Sequence, residues 1–206
     1  MPHLPGTQTP DVIDVLAGIR PGDRLDLLRA RRPEAREHAQ GAYLALFEPD
    51  DTSAVSLVER RALALFVAAL HRSGPGVSFY GDALRADEAG AHLADIVLAE
   101  AELGAHPGPY GRFLFDNADE SVAGPEHEMS GVETVYVLGE RLVAAIEHAH
   151  MLTLHPRDAS RAHLQKLLDA GWSTTGIVTI SQLVSFLAFQ LRVAHGLIVL
   201  RGKDAS

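Results

Sequence analysis

The stretch from residue 56 to residue 84, SLVERRALALFVAALHRSGPGVSFYGDAL, decides how the rest of the chain is interpreted. Its first half places apolar residues such as Val58, Ala62, Leu65 and Phe66 on one wide helical stripe. The sequence SGPG at residues 73–76 breaks this pattern, because glycine and proline punctuate helices. A second helix is expected to begin near Ser78. The stretch therefore predicts two helices joined by a Gly/Pro turn.

Helical periodicity continues on both sides of this stretch, with almost no alternation of apolar and polar residues, so the sequence predicts an all-α fold. The other expected helices cover 11–19, 23–31, 33–47, 78–102, 132–154, a short segment from Asp158 or Ser160 to Leu168, and a long helix capped by Ser173. Asp51, Thr52 and Ser53 are the expected N-caps of the helix that precedes the turn. Residues 1–50 form an N-terminal helical segment, and residues 51–206 form the main domain.

The composition limits the possible functions. The chain has 206 residues, of which 47% are hydrophobic, enough for the core of one compact domain. A net charge of −9 argues against nucleic-acid binding, and the absence of cysteine excludes disulfides, thiol nucleophiles and cysteine-based zinc sites. The start of the chain has neither the basic patch nor the long apolar run of a secretory signal. We therefore expect a cytoplasmic protein.

One segment, Ile177 to Leu200, is about long enough to cross a bilayer, at roughly 20 residues per span. It contains Gln182, Gln190, Arg192 and His195. An arginine at mid-membrane costs about 2.5 to 3.5 kcal/mol on insertion scales. We therefore expect a buried or interface helix and no membrane contact.

Two regions resemble the carboxymuconolactone decarboxylase and alkylhydroperoxidase D-like superfamily, especially its peroxidase-related branch. The first is the helix, turn and helix of residues 56–84. The second is IEHAHMLTLHPRDASRAHLQKLLDAGWSTTGIVTISQLVSFLAFQLRVAHGL, where the likeness is carried by Leu152, Thr153, residues 167–172, Phe186, Phe189 and Arg192. The resemblance implies an alkylhydroperoxidase D-like helical bundle with extra N-terminal helices. It also implies a homo-oligomer, a dimer or trimer, that buries part of Ile177 to Leu200.

The resemblance also implies where the family's reactive centre would lie. Peroxidase members have a glutamate, a C-x-x-C pair and a histidine, which correspond here to Arg61, to Ser73 and Gly76, and to Tyr80. All four positions differ, and Glu59 only neighbours the glutamate position. Serine cannot cycle through a disulfide, so dithiol peroxidase chemistry is excluded. We expect no cofactor.

Two interpretations of this altered site remain open. In the first, His71, Tyr80 and Asp82 are candidate acid–base groups, with Arg61 available to bind a carboxylate. In the second, Tyr80 and Arg61 only fill the space that the relay occupied. Decarboxylase members of the superfamily work without a cysteine pair, which keeps an enzyme acting on a small carboxylate or lactone under consideration.

A histidine cluster, His148, His150 and His155, follows Glu147. His148 and His150 lie about 200 degrees apart on a helix, so one metal would not reach both, and solvated or capping histidines are the expected state. Glu88 and His92, with Asp95 or Asp82 nearby, are expected to form an exposed i,i+4 pair. We therefore expect no metal site.

Residues 104–131 are rich in Gly, Pro and acidic residues and form an unusually long connection, either a functional loop or a mobile insertion.

Three hypotheses of function follow from the sequence patterns described above. The preferred one is a superfamily protein without thiol chemistry that binds a small organic ligand, or a cysteine-containing relative, as a non-catalytic subunit. The others are a cysteine-independent enzyme using His71 and Tyr80, and a histidine-based metal protein.

Overall fold

The computed structural model describes residues 10–108, 110–113, 115–129 and 131–203. Within these ranges the regular structure is helical, which confirms the all-α prediction. The helices are α1 Val12–Ala17, α2 Arg24–Arg29, α3 Pro33–Phe47, α4 Leu57–Leu70, α5 Gly74–Arg85, α6 Ala94–Leu103, α7 Val132–Leu154, α8 Arg161–Asp169 and α9 Thr174–Lys203. Short 3₁₀ turns cover Ala91–Leu93, Phe115–Glu120 and Pro156–Asp158.

Helix α4 is the centre of the fold and packs against α5, α6, α7 and α9. Its side chains from residue 62 to residue 68 are fully buried. The N-cap is Ser56, which forms a capping box with Glu59: Ser56 Oγ accepts from Glu59 N at 3.2 Å, and the Glu59 carboxylate accepts from Ser56 N at 2.7 Å. The prediction of a cap at residues 51–53 was wrong, because Asp51 and Ser53 form their own turn before the helix.

The second helix differs from its prediction at both ends. It begins at Gly74 instead of Ser78, since Ser73 Oγ accepts from Gly76 N at 3.2 Å and Pro75 fits the first turn, where no backbone donor is needed. It also ends at Arg85 instead of continuing to Glu102. A short turn follows, and α6 then starts as a separate helix.

Helix α7 has the predicted bounds, although Gly139 interrupts its helical geometry with a φ of 76°. Of the two predicted caps of α8, Ser160 is the one used, and Asp158 lies in the preceding 3₁₀ turn. Ser173 Oγ accepts from Gly176 N at 3.1 Å at the start of α9, as predicted.

The N-terminal helices share one hydrophobic core with the rest of the fold, and α1 packs mainly against α9. An ionic network fastens α1 to α2 and α3: Arg29 donates to Asp11 at 2.7 Å and also to Asp14, while Arg36 donates to Asp14 and to Asp26. Helix α3 lies beside α4, where Arg60 of α4 donates to Leu46 O of α3 at 2.8 Å, and the aromatic residues of α3 become important below.

Helix α9 is unusually apolar for its exposure. In the part of the chain that the structure describes, it is the one helix long and apolar enough to cross a membrane by length and composition, with a mean hydropathy of 1.8. Only 39% of its most apolar stretch of 18 residues is buried inside the protein. Several of its apolar side chains, Val178, Phe189 and Val199, are therefore exposed.

Candidate functional site

The structure places Tyr80 at the meeting of α5 and α9. Its hydroxyl donates a hydrogen bond to Gln190 Oε1, and both side chains are buried, Tyr80 to 1% exposure and Gln190 completely. Burial raises the pKa of Tyr80 well above its ordinary value. The phenol is therefore neutral and engaged inside the protein.

Aromatic residues close the space around Tyr80. Its ring lies 5.2 Å from the Phe47 ring of α3 and 5.1 Å from the Phe79 ring, measured between centroids. Tyr43 stacks on Phe47 at 5.1 Å. The N-terminal segment thus supplies two of the rings that fill this region, a contribution that the sequence did not reveal.

Arg61 and Asp82 do not share this buried space. The Arg61 guanidinium pairs with Asp87, just beyond α5, at 2.6 Å. Asp82 is exposed on α5. The described hydrogen bonds therefore do not join Arg61, Tyr80 and Asp82 into one reactive set.

Ser73 and Gly76, the two positions that the resemblance aligns with a cysteine pair, are engaged in packing. Ser73 caps α5, and the Cα of Gly76 lies directly against α9. A Cβ added at Gly76 would lie 2.7 Å from Leu191 Cδ2 and 3.2 Å from Ala68 Cβ. Glycine at this position therefore leaves the room that the Leu191 side chain of α9 occupies.

Replacing Gly76 by alanine tests this close approach. We expect the free energy of unfolding to fall by about 1 to 3 kcal/mol, because the new methyl group overpacks the core. The matched control is Gly74→Ala on the same helix, where an added Cβ meets nothing within 4 Å. Denaturant unfolding that shows equal effects at the two positions would contradict the packing described here.

His71 ends α4 and is the remaining acid–base candidate. Its Nε2 atom is buried and has no hydrogen-bond partner among the described residues. Burial, with a smaller effect of the Arg192 charge, lowers its pKa to about 4. His71 is therefore a neutral ring at pH 7, and the described contacts do not connect it with the Tyr80 hydroxyl.

A second polar region lies between α7, α8 and residues 126–128. It is a cavity of about 40 Å³, large enough for one or two waters. Its lining includes Glu147, His127, His148, His150, His155 and Lys166. The ring centroids of His127 and His150 are 4.9 Å apart, and those of His150 and His155 are 6.1 Å apart.

His148, His150 and His155 are buried, so the expectation that they are solvated was wrong, although His155 does lie at the C-cap of α7. His148 and His150 do face different elements: His148 Nε2 lies 3.3 Å from Ser181 Oγ on α9, and His150 Nε2 lies 2.8 Å from Gly104 O after α6. Burial lowers the pKa of each to about 4. His155 lies between Asp158 Oδ2 and Pro125 O, at 3.1 Å and 3.0 Å.

The metal hypothesis gains no support from this arrangement. Within the described residues, no three His, Asp or Glu side chains are placed to hold a metal ion together. Glu88 and His92 are both exposed, and Asp95 pairs instead with Arg85 at 2.9 Å.

Sequence reasoning missed Gln190 and His127. Gln190 was noticed only as a polar residue in an apolar segment, and its place on the buried face of α9 was the available signal. His127 lies in the long connection, outside any periodic segment, so nothing in the sequence linked it to the histidines of α7.

A shallow apolar groove of about 630 Å³ runs between α8 and α9. It is lined by Leu164 and Leu168 of α8 and by Ile177 and Val178 of α9, among others. Unlike the Tyr80 region, this groove is open to solvent.

No protein-family model matches the chain, and a search of curated proteins finds no match. The fold class therefore rests on the helices described above, and the function rests on the chemistry of the two polar regions and the exposed face of α9.

Proposed function

We propose that the chain is a non-catalytic member of the alkylhydroperoxidase D-like superfamily, in which packed side chains have replaced the thiol centre. Its role is to bind a partner through its surface. The α4–turn–α5 unit under α9 supports the first part of this proposal, since it puts Ser73 and Gly76 at the N-terminus of a helix, where a C-x-x-C pair is commonly found.

The observation that carries the proposal is the Tyr80–Gln190 hydrogen bond. A side chain in the family's histidine position would have to be reached by substrate, whereas Tyr80 is closed off by Phe47, Phe79 and α9. The site therefore has a structural role in this chain. The alternative of an enzyme using His71 and Tyr80 gains no supporting contact.

A peroxide assay with a matched variant tests the proposal. The purified protein should not consume an alkyl hydroperoxide faster than buffer with a dithiol reductant present, and rapid turnover would contradict the proposal. The triple variant Ser73→Cys, Gly76→Cys, Leu191→Ala removes the clash at position 76. We expect an added oxidant to convert its two thiols into an intramolecular disulfide, with a mass loss of two hydrogens. Thiols that stay free under the oxidant would contradict the proposed alkylhydroperoxidase D-like arrangement of residues 73 and 76.

The exposed face of α9 indicates the kind of partner. Exposed positions on one side of the helix are spaced by four and three residues in turn, as in a helix–helix seam: Val178, Gln182, Ser185, Phe189, Arg192, Gly196 and Val199. Val178, Phe189 and Val199 are 51%, 48% and 44% exposed. Large apolar residues on such a stripe are typical of an interaction surface.

A second copy of the chain fits this stripe best. The spacing is nearly symmetric about Phe189, so an antiparallel copy would place Val178 beside Val199 of its partner and the two Phe189 rings at the centre. Gln182 and Arg192 would be costly in hydrocarbon, which favours a protein partner over a bilayer. We therefore propose a homodimer through α9, with a cysteine-containing relative as the competing occupant.

Phe189→Glu tests the dimer. We expect the wild-type chain to sediment as a dimer at micromolar concentration without detergent, and the variant to sediment as a monomer, because two buried carboxylates would face each other. Leu27→Glu is the control, since Leu27 is 63% exposed on α2 and should leave the dimer intact. A monomeric wild-type chain would contradict the proposal.

A further inference from the structure

Residues 121–129, which we call the strap, lie across α7 and cover the histidine cavity. Backbone atoms of the strap bind side chains of the bundle: Met129 N donates to Glu147 Oε1 at 2.9 Å, and Gly124 N donates to Asp158 Oδ2 at 3.3 Å. Glu128 pairs with Lys166 of α8 at 3.2 Å. Polar contacts, several of them to titratable groups, therefore hold the strap.

Histidines line the inner side of the contact between the strap and the helical bundle. The His127 ring of the strap lies between Phe66 of α4 and His150 of α7, with centroid distances of 6.2 Å and 4.9 Å. His155 continues the row and lies 3.0 Å, through Nε2, from Pro125 O of the strap. The strap thus closes over a row of three imidazoles.

The strap fits His155 closely. A Cβ added at Gly124 would lie 2.1 Å from His155 Cγ and 2.6 Å from His155 Cβ. Any larger residue at position 124 must therefore displace the strap or the ring.

Protonation of the histidines in this row is unfavourable when the strap is closed. His127 and His150 stack directly, so protonating both places two positive charges about 5 Å apart in a buried setting. The other groups facing the row are Glu100 and His106 at the end of α6, Glu147 of α7, His148 of α7, Asp158 and His155 after α7, His163 and Lys166 of α8, and Glu126 and Glu128 of the strap.

The carboxylates partly offset this repulsion. Glu100 is 3.5 Å from His127 Nε2 and favours the charged ring. Burial nevertheless dominates, and it lowers the pKa of both His127 and His150. His150 has no carboxylate in hydrogen-bond contact among the described residues, since its Nε2 faces Gly104 O.

We propose that the strap is a pH-dependent gate: it closes the histidine cavity when His127 and His150 are neutral, and it opens when they are protonated. Opening exposes the cavity while the helical bundle remains folded. This inference is independent of the role proposed for Tyr80 and α9.

The direction and the size of the pH effect on strap opening follow from proton linkage. A histidine with a pKa of about 4 in the closed state and an ordinary value near 6.5 in the open state binds more protons when open, so opening is favoured as pH falls below 6.5. For His150 alone, opening becomes roughly 30-fold more favourable at pH 5.0 than at pH 7.5. The open state is therefore more populated in mild acid than at neutral pH.

Hydrogen exchange of the full chain tests the gate. After correction for intrinsic exchange rates, the protection of the Gly124 and Met129 amides should fall at least tenfold between pH 7.5 and pH 5.0, while α4 stays protected. Loss of protection in the strap and α4 together would mean global unfolding and would overturn the proposal. Unchanged protection of the strap would overturn it as well.

Two variants make the test specific. His127→Phe/His150→Phe keeps the stacked rings without their charge, and we expect at least a fivefold smaller change between the two pH values. Gly124→Ala should expose the strap already at pH 7.5, with α4 unaffected. His195→Gln, an exposed position on α9, is the control and should match wild type. A double-phenylalanine variant that opens at the same pH as wild type, or a strap that stays closed in Gly124→Ala, would contradict the gate.

Discussion

Replacing Tyr80 by alanine is expected to lower the free energy of unfolding by about 3 to 5 kcal/mol, the range for removing a large buried aromatic side chain. Tyr80 is 1% exposed and packs against Phe47, Phe79 and Gln190. The variant leaves a cavity between α3, α5 and α9 and an unpaired Gln190 amide. Urea unfolding followed by the fluorescence of Trp172, the single tryptophan, measures the loss.

The matched control is Tyr136→Ala. Tyr136 is 86% exposed on α7, so its removal should change stability by no more than about 0.5 kcal/mol. A loss below about 1 kcal/mol at Tyr80 would mean that the region is loosely packed. In that case a ligand pocket would become the better interpretation.

Acid should destabilise the whole protein before most carboxylates titrate. His71 and His148 have a folded-state pKa of about 4, below the ordinary value near 6.5, so the unfolded chain binds more protons in this window. The stabilising effect of the neutral rings is complete above pH 6.5 and is lost as pH falls toward 4. Each ring contributes at most about 1.4 kcal/mol per pH unit, and less where it keeps contact with solvent.

Urea midpoints measured from pH 7.5 to pH 4.5 check this expectation. The midpoint should fall steadily below pH 6.5, and His148→Phe should reduce the slope by removing one of the two rings. The exposed His195→Gln should leave the slope unchanged. A midpoint that is flat down to pH 5 would show that these rings are protonated, or solvated, in the folded state.

The sequence predicts helices well where the periodic pattern is long. Helix α7 has the expected bounds, since Pro156 limits its continuation at the C-terminal end. The Gly/Pro turn was less well predicted. The sequence pattern predicts that residues 73–76 separate two helices. Pro75 instead lies in the first turn of α5, because Ser73 supplies the cap just before it.

The buried polar contacts could not be predicted from the sequence because they join segments that are far apart along the chain. Tyr80 and Gln190 are 110 positions apart, and only the packing of α5 on α9 brings them together. His127 meets His150 in the same way, through a connection without periodicity. The residue types at Ser73, Gly76 and Tyr80 were evident from the sequence, whereas the sequence did not show that α3 supplies two of the rings in this region, Tyr43 and Phe47.

The central claim is that Tyr80 is a structural residue, at the position that the proposed family assignment gives to the reactive centre. A double-mutant cycle with Tyr80→Phe and Gln190→Leu tests it most directly. Each single change should cost about 1 to 3 kcal/mol by leaving a buried polar partner unpaired, and the double variant should cost clearly less than the sum. Strictly additive effects, or a Tyr80→Phe variant as stable as wild type, would contradict the claim.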